Sequence, residues 1–423
     1  MSEVHYEWEK GCRPPEIQQH SVAKHDILRA YLVRYLQTLI SSPHQDQFRL
    51  TLVDGFSGGG LYRHATSGDD VLGSPFVMLE AVKEAEFLVN TGRYKKVHLL
   101  VDYFFIEKDK RSLEFLENQL KERGYGHLIG QSIYLFNTEF QEESARIERF
   151  IKEKGRAARA IFLLDQYGYS EVPAPLIKSL LMNLKGAEVL LTFAVDSFLN
   201  YASDSPITAK LLERIGLTGL FRGRTLHEIK TSEKDWRLFI QGCLYKELVD
   251  ACGARFYTPF FIRSSRGHGD YWLLHLSQRH RARDVMTEVH WEKNNHFIHY
   301  GGAGLDMFHM LGYVPKYDSE YTKQPTLGFC FDNVAEKASV EALAVQIPEL
   351  IYPEPDGISF GTLFASTCND SPASAQIYRQ ALEHLINHKE VEVIGHDGSH
   401  RRSASRIHDN DQIMPPRQTS FIF

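Results

Sequence analysis

The first two thirds of the chain alternate short apolar runs with segments of helical periodicity. The segments between the runs place apolar residues three and four positions apart, which predicts amphipathic helices, and residues 23–40 predict a further helix before the first run. Buried strands that alternate with helices are typical of a parallel sheet covered by helices on both faces. Five runs are predicted to be such strands: residues 49–54, 96–107, 132–137, 158–165 and 187–195.

The alternation changes after the fifth run. Residues from about 205 to 253 predict a helical insertion. The apolar runs 254–264 and 270–277 are separated only by the turn-like SRGHG, which predicts an antiparallel hairpin. Five parallel strands closed by such a hairpin are the layout of the class I methyltransferase sheet and differ from the six parallel strands of a dehydrogenase. The predicted fold class is therefore α/β, with a Rossmann-like sheet of the methyltransferase kind.

The C-terminal part has a separate pattern. Residues 301–345 are irregular and rich in Gly, Asp and Lys, which predicts a linker or covering loops. Beyond them we expect a short helix in ISFGTLFAST, a longer helix capped by Ser371 with Pro372 in its first turn, and a hairpin around a D-G turn. This order resembles a winged helix. The predicted organisation is an N-terminal helical segment (1–45), a Rossmann-like methyltransferase domain (46–300), the linker (301–345) and a winged-helix-like domain (346–423).

The bulk composition narrows the class of protein. A chain of 423 residues with 43% hydrophobic and 24% charged residues is typical of soluble globular proteins. It has no apolar run long enough to cross a membrane, and its N-terminus lacks the apolar core of a secretion signal, so we expect a cytoplasmic protein without membrane contact. The five scattered cysteines lack a CxxC pair, which disfavours cysteine-based metal sites. The net charge of −6 disfavours indiscriminate nucleic-acid binding but permits local basic patches.

The stretch LVDGFSGGGLYRHA carries the strongest chemical signal. In doubly wound sheets, ligands bind beyond the carboxyl ends of the strands, and Asp54 ends the first predicted strand. The sequence lacks the GK[ST] of a phosphate-binding P-loop, and the negative charge of Asp54 would repel a phosphate. The position therefore favours a ligand with a positive centre. S-adenosylmethionine has a sulfonium and an α-amino group, and it is the predicted cofactor; a tight turn without a ligand is the alternative. The predicted donor loop consists of Asp54, Gly55, Phe56, Ser57, Gly58 and Gly60.

The next two strand ends predict further cofactor contacts. Glu107, followed by Lys108, ends the second strand and is placed to accept hydrogen bonds from ribose hydroxyls. Asn137 and Thr138 follow the third strand, where a polar group can meet the adenine amino edge. The alternative for these side chains, as for Asp54, is the capping of a helix.

The fourth strand end predicts the acceptor side of the site. Asp165 follows a wholly apolar run, where a carboxylate is costly unless it has a partner or a function. An acid with aromatic neighbours can accept hydrogen bonds from a target amino group while a ring stacks on a base. We therefore predict Asp165, Gln166 and Tyr167 as catalytic residues, and the capping of the helix near Val172 is the alternative.

Together these motifs resemble the three-Cys-motif partner proteins (TcmP). The resemblance covers about residues 20–295 and is carried by AKHDILRAYL, LVDGFSGGGLY with a downstream GSP, FFIEKD, LLDQYGY, LLTF and YWLLHLSQRHRARDVMTEVHW. It implies the class I S-adenosylmethionine methyltransferase fold and a partner protein with three clustered cysteines that resembles radical-S-adenosylmethionine proteins. Related sequences have D-P-F-G where this chain has Asp165-Gln166-Tyr167-Gly168. The missing proline removes a rigid turn and weakens the case for methylation of a base amino group, although Gln166 is itself able to bond to a base edge.

Basic residues predict contacts with a nucleic acid. Arg279 and Arg281 follow the last predicted strand, and Arg401 and Arg402 lie on the predicted wing, where they can meet phosphates. Arg63 belongs to the segment after the donor loop, which we expect to line the acceptor side. The alternative for the two clusters is a solvated helix face and a soluble hairpin.

The sequence is compatible with three functions. The first is a methyltransferase that acts on a nucleic acid, the second a methyltransferase that acts on a protein or peptide such as the three-cysteine partner, and the third a non-catalytic module that binds a nucleotide and DNA. No metal is predicted, because His296 and His299 have no third ligand at a usable spacing.

Overall fold

The computed structural model describes residues 6–9, 11–155, 158–166, 168–233, 236–262, 271–293, 303–305 and 331–416. The chain forms two compact units, Met1–Trp236 with Cys243–Val289 and Arg237–Gly242 with His290–Phe423. Among the described residues, no helix is both long and apolar enough to cross a membrane.

The first unit is built on a seven-stranded sheet. Its strands are apolar and buried along most of their length because helices cover both faces. A separate two-stranded hairpin pairs β2 with β3. The strands of this unit are β1 Gln47–Asp54, β2 Leu61–Arg63, β3 Asp70–Leu72, β4 His98–Ile106, β5 Ile133–Phe136, β6 Arg159–Leu164, β7 Gly186–Ala194, β8 Phe256–Ile262 and β9 Tyr271–Ser277.

The strand order of the large sheet is β5-β4-β1-β6-β7-β9-β8. The first five strands in that order are parallel, and β9 is antiparallel to both β7 and β8. This is the predicted parallel sheet closed by a hairpin, so the fold class is confirmed. The order reverses between β1 and β6, and in open α/β sheets ligands bind at such a switch point.

Ten helices of the described chain surround this sheet or connect its strands. Local capping explains several of their starts: the Asp109 carboxylate accepts the Ser112 N–H at the start of α3, as its position predicts, and Ser205 and Thr225 do the same for α7 and α8. The predicted helical insertion contains α7, α8 and α9. The helices are α1 Gln19–Leu39, α2 Ser74–Asn90, α3 Lys110–Glu122, α4 Phe140–Glu153, α5 Ala174–Asn183, α6 Val195–Tyr201, α7 Pro206–Ile215, α8 Leu226–Ser232, α9 Trp236–Cys252 and α10 His280–Lys293.

A short N-terminal segment packs against the β2–β3 hairpin. We call residues 6–9 and 11–17 the N-terminal strap. Its backbone pairs with Arg63, whose N–H donates to Pro15 O and whose carbonyl accepts the Ile17 N–H, both at 2.9 Å. The Trp8 indole N–H donates to Leu61 O at 2.7 Å. The strap is therefore fastened to the hairpin that follows the donor loop.

The second unit contains the arrangement of a winged helix. Three helices, α11 Asn333–Ile351, α12 Phe360–Thr367 and α13 Ala375–Asn387, accompany an antiparallel sheet. The sheet has the order β10-β12-β11, formed by β10 Ile358–Ser359, β11 Glu392–Ile394 and β12 Gln412–Met414. The winged-helix prediction is confirmed.

Two details of this unit differ from the sequence predictions. Residues 333–345 were predicted to be loops but form most of α11, whose many alanines give no clear apolar stripe and whose Pro348 reads as a break. The remainder of the predicted linker, apart from residues 303–305 and 331–332, lies outside the described residues. Ser371 was predicted to cap the next helix, but α13 begins later, and Ser374 is the residue whose hydroxyl accepts the Ile377 N–H.

Candidate active site

Four polar residues follow neighbouring strands at the same edge of the sheet. Asp54 ends β1, and Glu107, Asn137 and Asp165 come directly after β4, β5 and β6. Hydrogen bonds link several of these strand ends: the Asn137 amide donates to Glu107 O at 2.9 Å, and the Glu107 carboxylate accepts the Gly58 N–H at 2.9 Å. The structure therefore brings the predicted donor and acceptor residues together at the switch point of the sheet.

Asp54 is the most deeply buried acid of this group. Its side chain is fully buried. One carboxylate oxygen accepts the Phe56 N–H at 3.1 Å, and the other, Oδ2, is a buried atom without a hydrogen-bond partner among the residues that the structure describes. Burial raises the pKa of Asp54 to about 7, although the nearby Ser74 side chain and the Phe56 N–H act in the opposite direction. A buried carboxylate oxygen without a donor is suited to a positively charged ligand group.

The glycines of the donor loop, and Gly59 between them, lie against protein atoms. A Cβ on Gly55 would lie 2.9 Å from Leu164, and one on Gly59 would lie 2.3 Å from the ring of Trp8. Gly58 has φ +56° and Gly60 has φ +73°, so both adopt the left-handed conformation that glycine favours. At Gly59, the close approach is therefore made by Trp8 of the N-terminal strap.

Glu107, the predicted ribose contact, is held by two backbone N–H groups, one of which belongs to the donor loop. Its two carboxylate oxygens accept the N–H groups of Gly58 and Asp109 at 2.9 and 2.8 Å, and burial raises its pKa. Each oxygen of a carboxylate has a second lone pair, so the group retains capacity for ribose hydroxyls. Ser57 fixes the same loop by donating its N–H to Ile106 O at 2.9 Å.

The other predicted cofactor residues make local contacts at this edge. Lys108 is exposed and pairs with Glu171 at 3.4 Å. The Asn137 amide also donates to Lys108 O at 3.0 Å, and the Thr138 hydroxyl donates to Glu142 in the first turn of α4. The structure places them at the strand ends, where they order the loops after β4 and β5.

Asp165 is joined to α1 by an ion pair that the sequence did not reveal. The Lys24 ammonium lies 2.6 Å from both carboxylate oxygens. His25 is the next residue, and burial, followed by the Lys24 charge, lowers its pKa to about 4. A signal was present: Lys24 lies one helical turn before Ile27 and Leu28, on the stripe that is buried in the structure.

Of the other two predicted catalytic residues, Gln166 and Tyr167, the structure describes only Gln166. Gln166 is 2% exposed, and its amide is occupied by backbone groups: Oε1 accepts the N–H groups of Glu171 and Val172, and Nε2 donates to Thr192 O. Gln166 therefore orders the turn after β6 and does not present its amide to a base edge, because that turn needs its hydrogen bonds. Tyr167 lies outside the described residues.

Arg63 and its neighbour Tyr62 belong to the hairpin beside the donor loop. The Arg63 guanidinium pairs with Glu16 of the strap at 2.7 Å. Tyr62 packs edge-on against Tyr6 and Trp8, with ring centroids 5.1 and 5.3 Å apart. Burial raises the pKa of Tyr62, and the nearby Tyr6 and the carboxylates of the site raise it further. Tyr62 therefore lies within the electrostatic field of the site, while Arg63 anchors the strap.

Arg279 and Arg281 lie at the opposite edge of the sheet. Ser277, at the end of β9, pairs with Glu188 near the start of β7, whereas the donor loop is at the carboxyl ends of the parallel strands. Arg279 is exposed, and Arg281 pairs with Asp284 at 2.8 Å. These residues were predicted to contact a nucleic acid, and the antiparallel direction of β9 takes them away from the candidate site.

The basic residues of the wing are only partly exposed. Arg401 is 18% exposed and forms two hydrogen bonds with Asp411, at 2.9 and 3.2 Å, whereas Arg402 is exposed. Arg379 is the only lysine or arginine of α13, and it donates to Ile407 O and Asp409. Arg401 is thus part of the internal structure of the wing, in place of the predicted phosphate contact.

The comparisons with known proteins give one family match and several similar solved structures. Residues 316–398 match the family model of the GMT-like wHTH domain. No curated protein matches the chain. The structure is similar to that of a Legionella pneumophila protein described by the family model DUF519, with 10% identity and a TM-score of 0.34 over 60% of this chain and 85% of that chain.

Two further similar structures have methyltransferase activity in their names. The bifunctional kinase-methyltransferase WbdD has 11% identity and a TM-score of 0.31, over 60% of this chain and 39% of its own. A SAM-dependent methyltransferase from Agrobacterium tumefaciens has 10% identity and a TM-score of 0.27, over 62% of this chain and 63% of its own.

Proposed function

We propose that this chain is a S-adenosylmethionine-dependent methyltransferase that acts on a protein or peptide. The observation that supports the choice of donor is the buried Oδ2 atom of Asp54. It lies at the switch point of the sheet, and no described part of the chain supplies it with a hydrogen-bond partner. A carboxylate in that state fits the positively charged end of the donor. The resemblance to the TcmP family points in the same direction.

The residues at the strand ends suit the rest of the donor. Asp54 would hold its charged amino-acid portion, and Glu107, fixed by the N–H groups of Gly58 and Asp109, would hold the ribose hydroxyls. When bound, the donor supplies a methyl group on an electrophilic sulfonium. The chain contributes orientation: the Asp165 carboxylate, held by Lys24, marks the side from which an acceptor approaches.

Charge and position favour a protein acceptor over a nucleic acid. Between residues 331 and 416, which the structure describes without a gap, the winged-helix unit has thirteen acidic and six basic residues. A nucleic-acid interface is normally basic, and α13 has only Arg379, which is bonded within the unit. Arg279 and Arg281 lie at the sheet edge away from the site. A partner with three clustered cysteines, implied by the TcmP resemblance, is one acceptor of this class.

Calorimetry with S-adenosylmethionine tests the donor half of the proposal. The wild-type protein is expected to bind, Asp54→Asn to bind at least about tenfold more weakly, and Asp102→Asn, a carboxylate of the same sheet that pairs with Lys154, to bind like wild type. Absence of binding by the wild-type protein would leave the non-catalytic module as the better interpretation.

The acceptor half needs a second assay. Transfer of tritium from methyl-labelled donor is measured separately to the protein, RNA and DNA fractions of a cell extract. We expect label in the protein fraction. Label confined to RNA or DNA would reject the protein acceptor and restore a nucleic-acid substrate.

A further inference from the structure

The contact between Lys24 and Asp165 joins two residues 141 positions apart. The ammonium lies 2.6 Å from each carboxylate oxygen, and the two side chains are 11% and 24% exposed. The pair therefore connects helix α1 to the strand end at which the acceptor side of the site is proposed.

The pair determines the charge state of Asp165. Burial alone would raise the pKa of this carboxyl, but the Lys24 charge and hydrogen bonds outweigh burial, and the pKa lies below the ordinary value of 3.8. The other titratable groups that face it are His25, Asp54 and Tyr62. His25 has a pKa of about 4 and is neutral near pH 7, so Lys24 is the fixed cation of the group.

Docking of α1 does not depend on this pair. The helix already buries Ile27, Leu28, Tyr31 and Leu32, each at most 2% exposed. A buried ion pair adds little net stability, because the desolvation of its two charges offsets their attraction. A function at the site explains better than helix anchoring why a lysine occupies the buried stripe of α1.

We propose that Lys24 is a positioning residue of the transfer site, which holds the Asp165 carboxylate ionised and fixed in direction for the acceptor. This proposal rests on the proposed function. Lys24 takes one lone pair from each oxygen, so its position decides where the remaining lone pairs of Asp165 point. The acceptor then meets an oriented carboxylate that is neutralised by the protein, in place of an isolated negative charge.

The test compares Lys24→Met and Lys24→Arg with the matched variant Lys154→Met. Lys154 and Asp102 form a similarly buried pair, 15% and 20% exposed, outside the proposed site. The pKa of Asp165 is measured from its carboxyl ¹³C shift, and methyl transfer from tritiated S-adenosylmethionine to extract protein is measured against pH. In Lys24→Met we expect the Asp165 pKa to rise, the acidic limb of the pH profile to move upward, and transfer near pH 7 to fall about tenfold or more at saturating donor.

The control variants separate this role from a structural one. Lys24→Arg is expected to restore the low Asp165 pKa and most of the transfer, and Lys154→Met is expected to leave both unchanged. An Asp165 pKa that does not move in Lys24→Met, or a pH profile identical to that of Lys154→Met, would overturn the proposal. Donor affinity is measured in the same samples, so a failure of the proposed function appears as absent binding in the wild type, while the titration of Asp165 still tests Lys24.

Removal of Lys24 alone leaves a buried carboxylate without its cation, which can prevent folding. The double variant Lys24→Met/Asp165→Asn removes both charges. It is expected to fold and bind the donor like wild type but to transfer methyl groups at least about tenfold more slowly, without the acidic limb that Asp165 contributes. Wild-type transfer by this variant would reject a role for the pair.

Discussion

Asp54 shows at the level of one residue how the burial of a carboxyl group can cost stability. Its carboxyl is fully buried and its pKa is about 7, so ionisation is favoured more in the unfolded chain than in the folded protein. As pH rises from about 4 to 7, the unfolded chain loses its proton first, and the folded protein loses stability relative to it. The cost is then fully present above pH 7, where the ionised group would meet the positive charge of the proposed donor.

Asp54→Asn is therefore expected to stabilise the ligand-free protein in a pH-dependent way. The gain in free energy of unfolding over wild type should be small near pH 4 and reach up to about 4 kcal/mol near pH 8, since each pKa unit corresponds to about 1.4 kcal/mol. Urea unfolding at the two pH values measures it. A gain that does not grow with pH would contradict the assigned pKa.

The same residue predicts how donor binding depends on pH. If the donor binds to ionised Asp54, its affinity should rise about tenfold per pH unit below pH 7 and level off above it. His25 does not titrate in this window, because its pKa is about 4. Calorimetry with S-adenosylmethionine at several pH values, in buffers of different ionisation enthalpy, measures both the affinity and the proton released. In Asp54→Asn the pH dependence should disappear.

Among the elements, the N-terminal strap and the donor loop depend on one another. Trp8 lies on Gly58 and Gly59, and its indole N–H is bonded to Leu61 O. Glu9 adds an ion pair with Arg111 of α3 at 3.1 Å. The glycines thus allow the strap to pack closely against the loop. A substitution in either element should therefore disturb the packing of the other.

Gly59→Ala tests this dependence. The new Cβ would lie 2.3 Å from Cγ of Trp8, so the indole must move, and we expect a loss of about 1–3 kcal/mol with a red-shifted tryptophan emission. In a Trp8→Ala background the same substitution should cost much less, because the colliding ring is gone. Equal costs in both backgrounds would show that the close approach is not what requires glycine.

The elements also show what a sequence can and cannot predict. Consecutive apolar residues before Asp54, Glu107 and Asp165 identify buried strands, and parallel strands must bring those acids to one edge. The hairpin β2–β3 is too short to leave an alternating pattern, and the strap lies on the loop through one tryptophan. Periodicity indicates which face of a helix is buried but not which residues that face contacts. The sequence therefore predicts that Lys24 lies on α1 but not that it pairs with Asp165.

On the scale of the whole molecule, charge is distributed unevenly along the chain. The winged-helix unit has thirteen acidic and six basic residues between 331 and 416, while the whole chain has a net charge of −6. A fold that commonly binds DNA is here acidic over its described residues. Fold and ligand are therefore separate questions for this unit.

The excess of acidic residues in the winged-helix unit predicts weak binding to nucleic acid with little dependence on salt concentration. Affinity for duplex DNA or RNA should be no tighter than that of a non-specific binder, about 10⁻⁴ M at physiological salt, and the slope of log affinity against log salt should be close to zero. Fluorescence anisotropy with labelled oligonucleotides at several salt concentrations measures both. A steep negative slope would contradict the prediction and would indicate several phosphate contacts.

The position of Cys12 on the strap makes it a useful handle for labelling. Its thiol is exposed, whereas Cys243, Cys252 and Cys368 are buried, and burial raises the pKa of the Cys252 thiol. With Cys330, which lies outside the described residues, replaced by serine, a maleimide dye should attach at Cys12. The dye would sit on the segment that packs against the donor loop, so its emission would give an optical signal for events at the candidate site.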